Sequence, residues 1–199
     1  MNDRLEMLLE KFRMLERELA MELQKKQDEF FYQVHKKKVR FQRGIKLEHR
    51  LMMKSAFQYI RESRPLVILT LPIIWSCAIP ALLLDLTISI YQAICFPIYG
   101  IPKVRRGDFI VIDRHNLSYL NVIEKMNCVY CGYFNGLVAY AREMAARTEQ
   151  HWCPIKHARR VGDIHSRYKY FFDYGDGKRY HQEIETARRN YEDIKQENL

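Results

Sequence analysis

Residues 66–101 read LVILTLPIIWSCAIPALLLDLTISIYQAICFPIYGI, and the rest of the 199-residue chain is interpreted outward from this stretch. It holds one charged side chain, Asp85, and no Lys or Arg, so the remaining 163 residues carry nearly all the charge. A helix rises 1.5 Å per residue, so the stretch as one straight helix would measure ~54 Å, against about 30 Å of hydrocarbon in a bilayer. One helix is too long and two short ones fit. Pro72, Pro80 and Pro97 supply kinks, and Asp85 suits the cap of a second helix from Leu86 onward. The pattern predicts a transmembrane helical hairpin over residues 65–102, with the lipid bilayer as its partner; the competing reading is a single span followed by an interfacial helix, which would put the cysteine region outside. Asp85, about 28 Å of helical rise beyond Leu66, would then sit near the far interface and cap rather than move protons or ions.

Charge is uneven on the two sides. Residues 1–30 carry six basic and eight acidic side chains, whereas residues 31–64 carry ten basic and two acidic, in a chain of net charge +9. After the apolar stretch come Lys103, Arg105 and Arg106. A basic run suits nucleic acid or an anionic membrane surface, and its place against an apolar span favours the membrane over nucleic acid. Basic residues prefer the cytoplasmic face, so both termini are expected there. No signal peptide is expected, since the apolar segment starts late and runs long. Five cysteines not spaced as a secreted disulfide framework point to a reducing compartment.

The architecture expected is mainly α, in three parts: a charged helical region (1–64), the hairpin (65–102) and a small helical cytoplasmic domain (103–199). Residues 2–43 read as one long amphipathic helix with Leu5, Leu8, Phe12, Leu15 and Leu19 on a coiled-coil stripe. The stripe fails at Glu22 and Lys26, so self-association through it is expected to be weak. A second helix is expected over 46–61. Beyond the span, residues 108–113 (DFIVID) read as a short β-rich run. Helices are expected over 118–126 and 137–149, then an aromatic stretch at 166–180 with a turn at Gly175-Asp176-Gly177, then a polar tail helix over 181–198.

The constellation with most chemistry is Cys128-Val-Tyr-Cys131, then 21 residues, then Cys153-Pro-Ile-Lys-His157. Two thiolates three positions apart in a tight turn clamp one side of a tetrahedral ion; a third Cys with a His four positions on completes three sulfurs and one nitrogen, a shell suited to Zn(II). Gly132 and Pro154 suit the loops such ligands need, and His151 is the rival nitrogen. Iron in the same shell is the alternative ion, and unligated thiols are the plain alternative. The stretch from Asn127 to Arg159, with Tyr130-Cys131-Gly132-Tyr133 and Glu149-Gln150-His151-Trp152-Cys153-Pro154-Ile155-Lys156-His157, resembles a group of small bacterial membrane proteins. The resemblance implies a bacterial source, hence the inner membrane, and no activity.

Other chemistry is thin. The chain has no Walker A loop, GxGxxG, HExxH or GxSxG. Asp113, His115, Asp163 and His165 include acid–base types but read as surface residues, and the sequon Asn116-Leu117-Ser118 would be idle in a bacterial cytoplasm. Tyr168, Tyr170, Phe171, Phe172 and Tyr174 read as an interfacial aromatic belt, with a small core as the alternative. The function expected is a membrane-anchored module with a structural zinc, serving protein interaction or scaffolding. An iron-binding electron-transfer protein and a membrane-interface enzyme acting on a lipid-linked or phosphorylated substrate are the other classes.

Overall fold

A computed structural model describes residues 3–30, 32–35, 38–41 and 43–196. The chain divides into two compact units, Met1–Glu62 with Asp113–Met126, and Ser63–Ile112 with Asn127–Leu199.

The first unit opens with helix α1, Asp3–Glu29. The helix expected to run to residue 43 stops there, because the composition changes period. Strands β1 (Tyr32–His35) and β2 (Lys38–Phe41) pair antiparallel, with Tyr32 opposite Phe41 and Val34 opposite Val39. β-Branched and aromatic residues alternating at period two favour a pleated ribbon over a helix. Of the stripe residues, Leu15 and Leu19 are exposed, and the side chains of Leu5, Leu8 and Phe12 lie outside the described set. The expected 46–61 helix is two, α2 (Arg43–Leu51) and α3 (Ala56–Glu62), with Ser55 Oγ accepting from Gln58 N at 3.1 Å to start the second. Ring contacts run from Tyr32 through Phe41 and His49 to Tyr119, at 5.7, 5.5 and 5.2 Å, the last two edge to ring.

In the second unit α4 (Pro65–Ser76) and α5 (Ala78–Tyr99) make Pro65–Tyr99 one 35-residue helix, long and apolar enough to cross a membrane. The two helices meet at Cys77, whose dihedrals (φ −64°, ψ −13°) are still helical. Pro80 lacks the N–H that would bond back to Ser76. Asp85 therefore lies inside α5 and caps nothing; the second helix starts at Ala78, not at Leu86. The rod ends at Gly100 in the left-handed region (φ 69°), with Ile101 N bonded to Phe96 O at 2.9 Å.

Residues 101–112 turn back along α5. They form no strand: the segment holds only the short helix α6 (Arg106–Phe109). Val104 N donates to Gln92 Oε1 at 2.7 Å, and Arg106 reaches Asp85. Then α7 runs unbroken from Val122 to Trp152, 31 residues where two helices and a cysteine loop were expected. Asn121 and Glu124 start it with a reciprocal pair of bonds, Glu124 N to Asn121 Oδ1 at 3.0 Å and Asn121 N to Glu124 Oε2 at 2.9 Å. Gly132 and Gly136 do not break the helix; four residues apart, they open one face of it to the backbone of residues 109–111. A Cβ at Gly136 would lie 2.7 Å from Ile110 Cα and Phe109 O, and one at Gly132 3.1 Å from Val111 O.

Helices α5 and α7 run parallel: Tyr133 bonds to Asp85 (2.8 Å) and Tyr140 to Gln92 (2.9 Å), pairs seven residues apart on each helix. Phe96, Ile101, Val104, Leu137, Tyr140 and Met144 form the core, closed by Tyr191 and Ile194 of the tail. The tail is two helices, α8 (Gly177–Arg189) and α9 (Glu192–Gln196), and Asp176 caps the first by accepting from Arg179 N. The expected turn before it is present, with Gly175 at φ 92°. Phe171 and Phe172 are buried, so that part of the aromatic stretch is core rather than an interfacial belt, while Tyr174 is exposed.

Gly136→Ala tests the close approach. A methyl normally stabilises a helix by about 1 kcal/mol over glycine, but here it meets backbone that cannot rotate away. The variant should lose roughly 1–3 kcal/mol in denaturant unfolding, whereas Gly162→Ala, with nothing within 4 Å, should change little. Equal behaviour of the two would refute the packing role.

Candidate functional site

Two polar clusters hold the second unit together. In the first, Asp85 is only 8% exposed on an otherwise uncharged helix. Both its oxygens are used: Arg106 clamps them as a two-pronged fork, with Nη2 donating to Oδ2 at 2.6 Å, Tyr133 Oη donates to Oδ2 at 2.8 Å, and Ser89 Oγ donates to Oδ1 at 3.4 Å. Burial, with the neighbouring carboxylate, raises the Tyr133 hydroxyl above the usual phenol range, so it stays a donor. An acid within an apolar helix raises the question of ion or proton traffic. Here each bond closes onto protein, and the pair acts as a latch fastening the return segment and α7 to α5.

In the second cluster Arg167, 1% exposed, lies between the rings of Tyr170 and Tyr191, at 4.4 and 5.1 Å. It donates to Gln150 Oε1, Asp193 Oδ2 (2.7 Å) and Asn190 O (2.7 Å). Gln150, also buried, donates to Ala187 O and Asn190 O, and Tyr191 Oη to Arg147 O. Arg147 donates to Glu143 and to Pro102 O, both at 2.8 Å. Burial pushes the Tyr191 hydroxyl up to about 12. Burial alone would raise the Asp193 carboxyl, but the bond and charge of Arg167 hold it below the usual range. These residues bolt the tail helices to α7. Sequence reading missed both clusters, though the lone Asp85 was a usable signal for the first.

The expected metal ligands are not brought together. Cys128 and Cys131 lie inside α7, and Cys153 and His157 follow its other end. About 33 Å of helix separates Cys131 from Cys153, whereas ligands of one zinc lie within about 2.3 Å of the ion. Among the described residues no group of three or more His, Cys, Asp or Glu could hold a metal, and all five cysteines are free thiols. The residues present therefore do not fit one zinc or iron within a single chain. His151, the rival ligand, stacks on Tyr99 (5.2 Å, 18° between planes); its buried Nδ1 has no hydrogen-bond partner, and burial lowers its pKa. The acid–base types are scattered: Asp163 pairs with Arg142, His165 with Glu149, and Asp113 O accepts from Asn116 in a turn.

No family model matches the chain, and no curated protein or solved structure matches it either.

Two outcomes follow from this geometry. Asp85→Ala and Arg106→Ala should each destabilise the unit, and the double variant should fall short of additivity by about 1–3 kcal/mol in a double-mutant cycle; additive losses would remove the latch. Cys153→Ser, at an exposed thiol, should leave the unfolding free energy unchanged within about 0.5 kcal/mol. A large loss of stability together with loss of bound zinc would restore the four-ligand shell.

Proposed function

We propose that the chain is a membrane-anchored interaction module: Pro65–Tyr99 is embedded in a bilayer, and the polar regions it carries contact another protein. The exposure of that helix carries the reading, since only 6% of its most apolar window is buried. Leu69, Ile73, Leu83, Leu86, Ile90 and Ile98 all present their side chains outward, and a lipid-like surrounding would satisfy this apolar surface. On α1, Leu15, Leu19, Met21 and Leu23 are also exposed, which supports contact with a partner helix. Neither a structural zinc nor iron-based electron transfer enters the proposal, because about 33 Å of helix separates Cys131 from Cys153.

The membrane is proposed to be the bacterial inner membrane, with both termini cytoplasmic. In the sequence, basic residues precede the helix at Arg61 and Arg64 and follow it at Lys103 and Arg105, while Arg106 is taken up by Asp85. The His49–Tyr119 contact also supports this arrangement, since it joins residues before the helix to residues after it within one compact unit. The prolines at 72 and 80, around the junction at Cys77, are where the helix would bend to keep both flanks on one face.

The full-length protein should stay in the membrane pellet through an alkaline carbonate wash. Ile73→Arg with Leu83→Arg, both at exposed positions, should release it, since each charge costs about 2.5–3.5 kcal/mol at the centre of a span. A wild-type protein recovered in the supernatant rejects the anchor. Reporter fusions at both ends should give cytoplasmic signals, and signals from opposite sides would reject the shared face.

A further inference from the structure

Between the return segment, α7 and the tail lies a cavity of about 480 Å³, within the size range of small-molecule sites. Arg147 and Arg167 lie in its wall, each already joined to an acid, Glu143 and Asp193 respectively. Ser166 Oγ closes on Glu143 as well, at 2.7 Å. Lys103, Arg105 and Lys169 also line the cavity and are exposed, with Lys169 Nζ 4.9 Å above the Tyr170 ring. Asp108 is the one other acid in the lining, so five basic and three acidic side chains leave a surplus of two positive charges. Lys103 and Arg105 come three and five residues after Gly100, where the apolar helix ends.

We propose that this cavity binds a phosphate-bearing anion. The Arg–acid pairs form part of the wall, while Lys103, Arg105 and Lys169 supply exposed ammonium and guanidinium donors of the kind that recognise phosphate oxygens. Two sources share this chemistry, the head group of an acidic phospholipid and a free phosphate compound. The lipid source rests on the membrane reading above, because the site must then lie at head-group depth; the free source does not.

The test uses the full-length chain. Its thermal midpoint is followed in detergent during titration with inorganic phosphate, and in nanodiscs of phosphatidylcholine with or without phosphatidylglycerol. Binding to the folded state raises the midpoint. An upward shift with phosphate assigns a free anion, and a shift only with phosphatidylglycerol assigns a lipid head group. In either case Lys103→Ala/Arg105→Ala/Lys169→Ala should weaken the response roughly tenfold or more. Arg159→Ala/Arg160→Ala/Lys178→Ala, which removes the same charge from exposed positions outside the cavity lining, should preserve it. No shift with either probe, a cavity variant that responds like wild type, or a control variant that loses as much would each overturn the proposal. Because the phosphate titration needs no bilayer, failure of the anchor and failure of the cavity are read separately.

Discussion

A carboxylate on a helix with no other charge has to be covered, and Asp85 sets that requirement for the whole second unit. Its partner Arg106 stands 21 positions along the chain. To bring the guanidinium back, residues 101–112 must retrace α5 after the left-handed turn at Gly100. That return needs room, and the room comes from α7, where the absence of side chains at Gly132 and Gly136 lets the backbone of residues 109–111 settle against the helix. Tyr133, one position from Gly132, then supplies another donor to the same carboxylate. The ion pair, the return segment and the glycine face stand or fall together. Removing Arg106 leaves the Asp85 carboxylate buried without its charge partner, which costs more than the pair gains over an apolar contact, whereas Arg106 itself is exposed.

The parallel run of α5 and α7 follows from this latch. Bonds at Asp85–Tyr133 and Gln92–Tyr140 recur after two helical turns on both helices, so one register satisfies both. Farther along, Arg147 and Gln150 of α7 tie down the return segment and the tail, and Arg167 threads between two tyrosine rings to complete the closure. Polar contacts fix the position of each element, while the apolar core between them supplies most of the burial. The same geometry carries Lys103 and Arg105 back alongside α5, on either side of the Val104–Gln92 bond.

The cysteines show how one local reading propagates. A CxxC pair followed by glycine resembles a ligand-bearing turn, and Gly132 was read in that sense. In the fold that glycine is a packing residue inside a helix. Once α7 continues through it, Cys128 and Cys131 are carried far from Cys153 and His157 by helical rise alone. The Gly132 and Gly136 spacing was present in the sequence as a sign of close backbone approach, yet nothing local said what would approach. The long N-terminal helix failed for a different reason: Tyr32, Val34, Val39 and Phe41 alternate at period two, a signal overridden by the helical pattern before it.

The sequence by itself determined the apolar helix, its basic flanks, the helical character of the chain and the turn at Gly175, because each rests on composition or on contacts between near neighbours. The singular charge of Asp85 was also visible there. What covers it was not, since Arg106 and Tyr133 reach it from other elements. Whether α7 is one helix or two, which tyrosines and arginines are buried, and that the four proposed ligands stay apart were decided by tertiary structure. The physical reason is that these outcomes depend on which surfaces meet, and a glycine, a cysteine or an arginine reads the same locally whether it faces solvent, a loop or another helix.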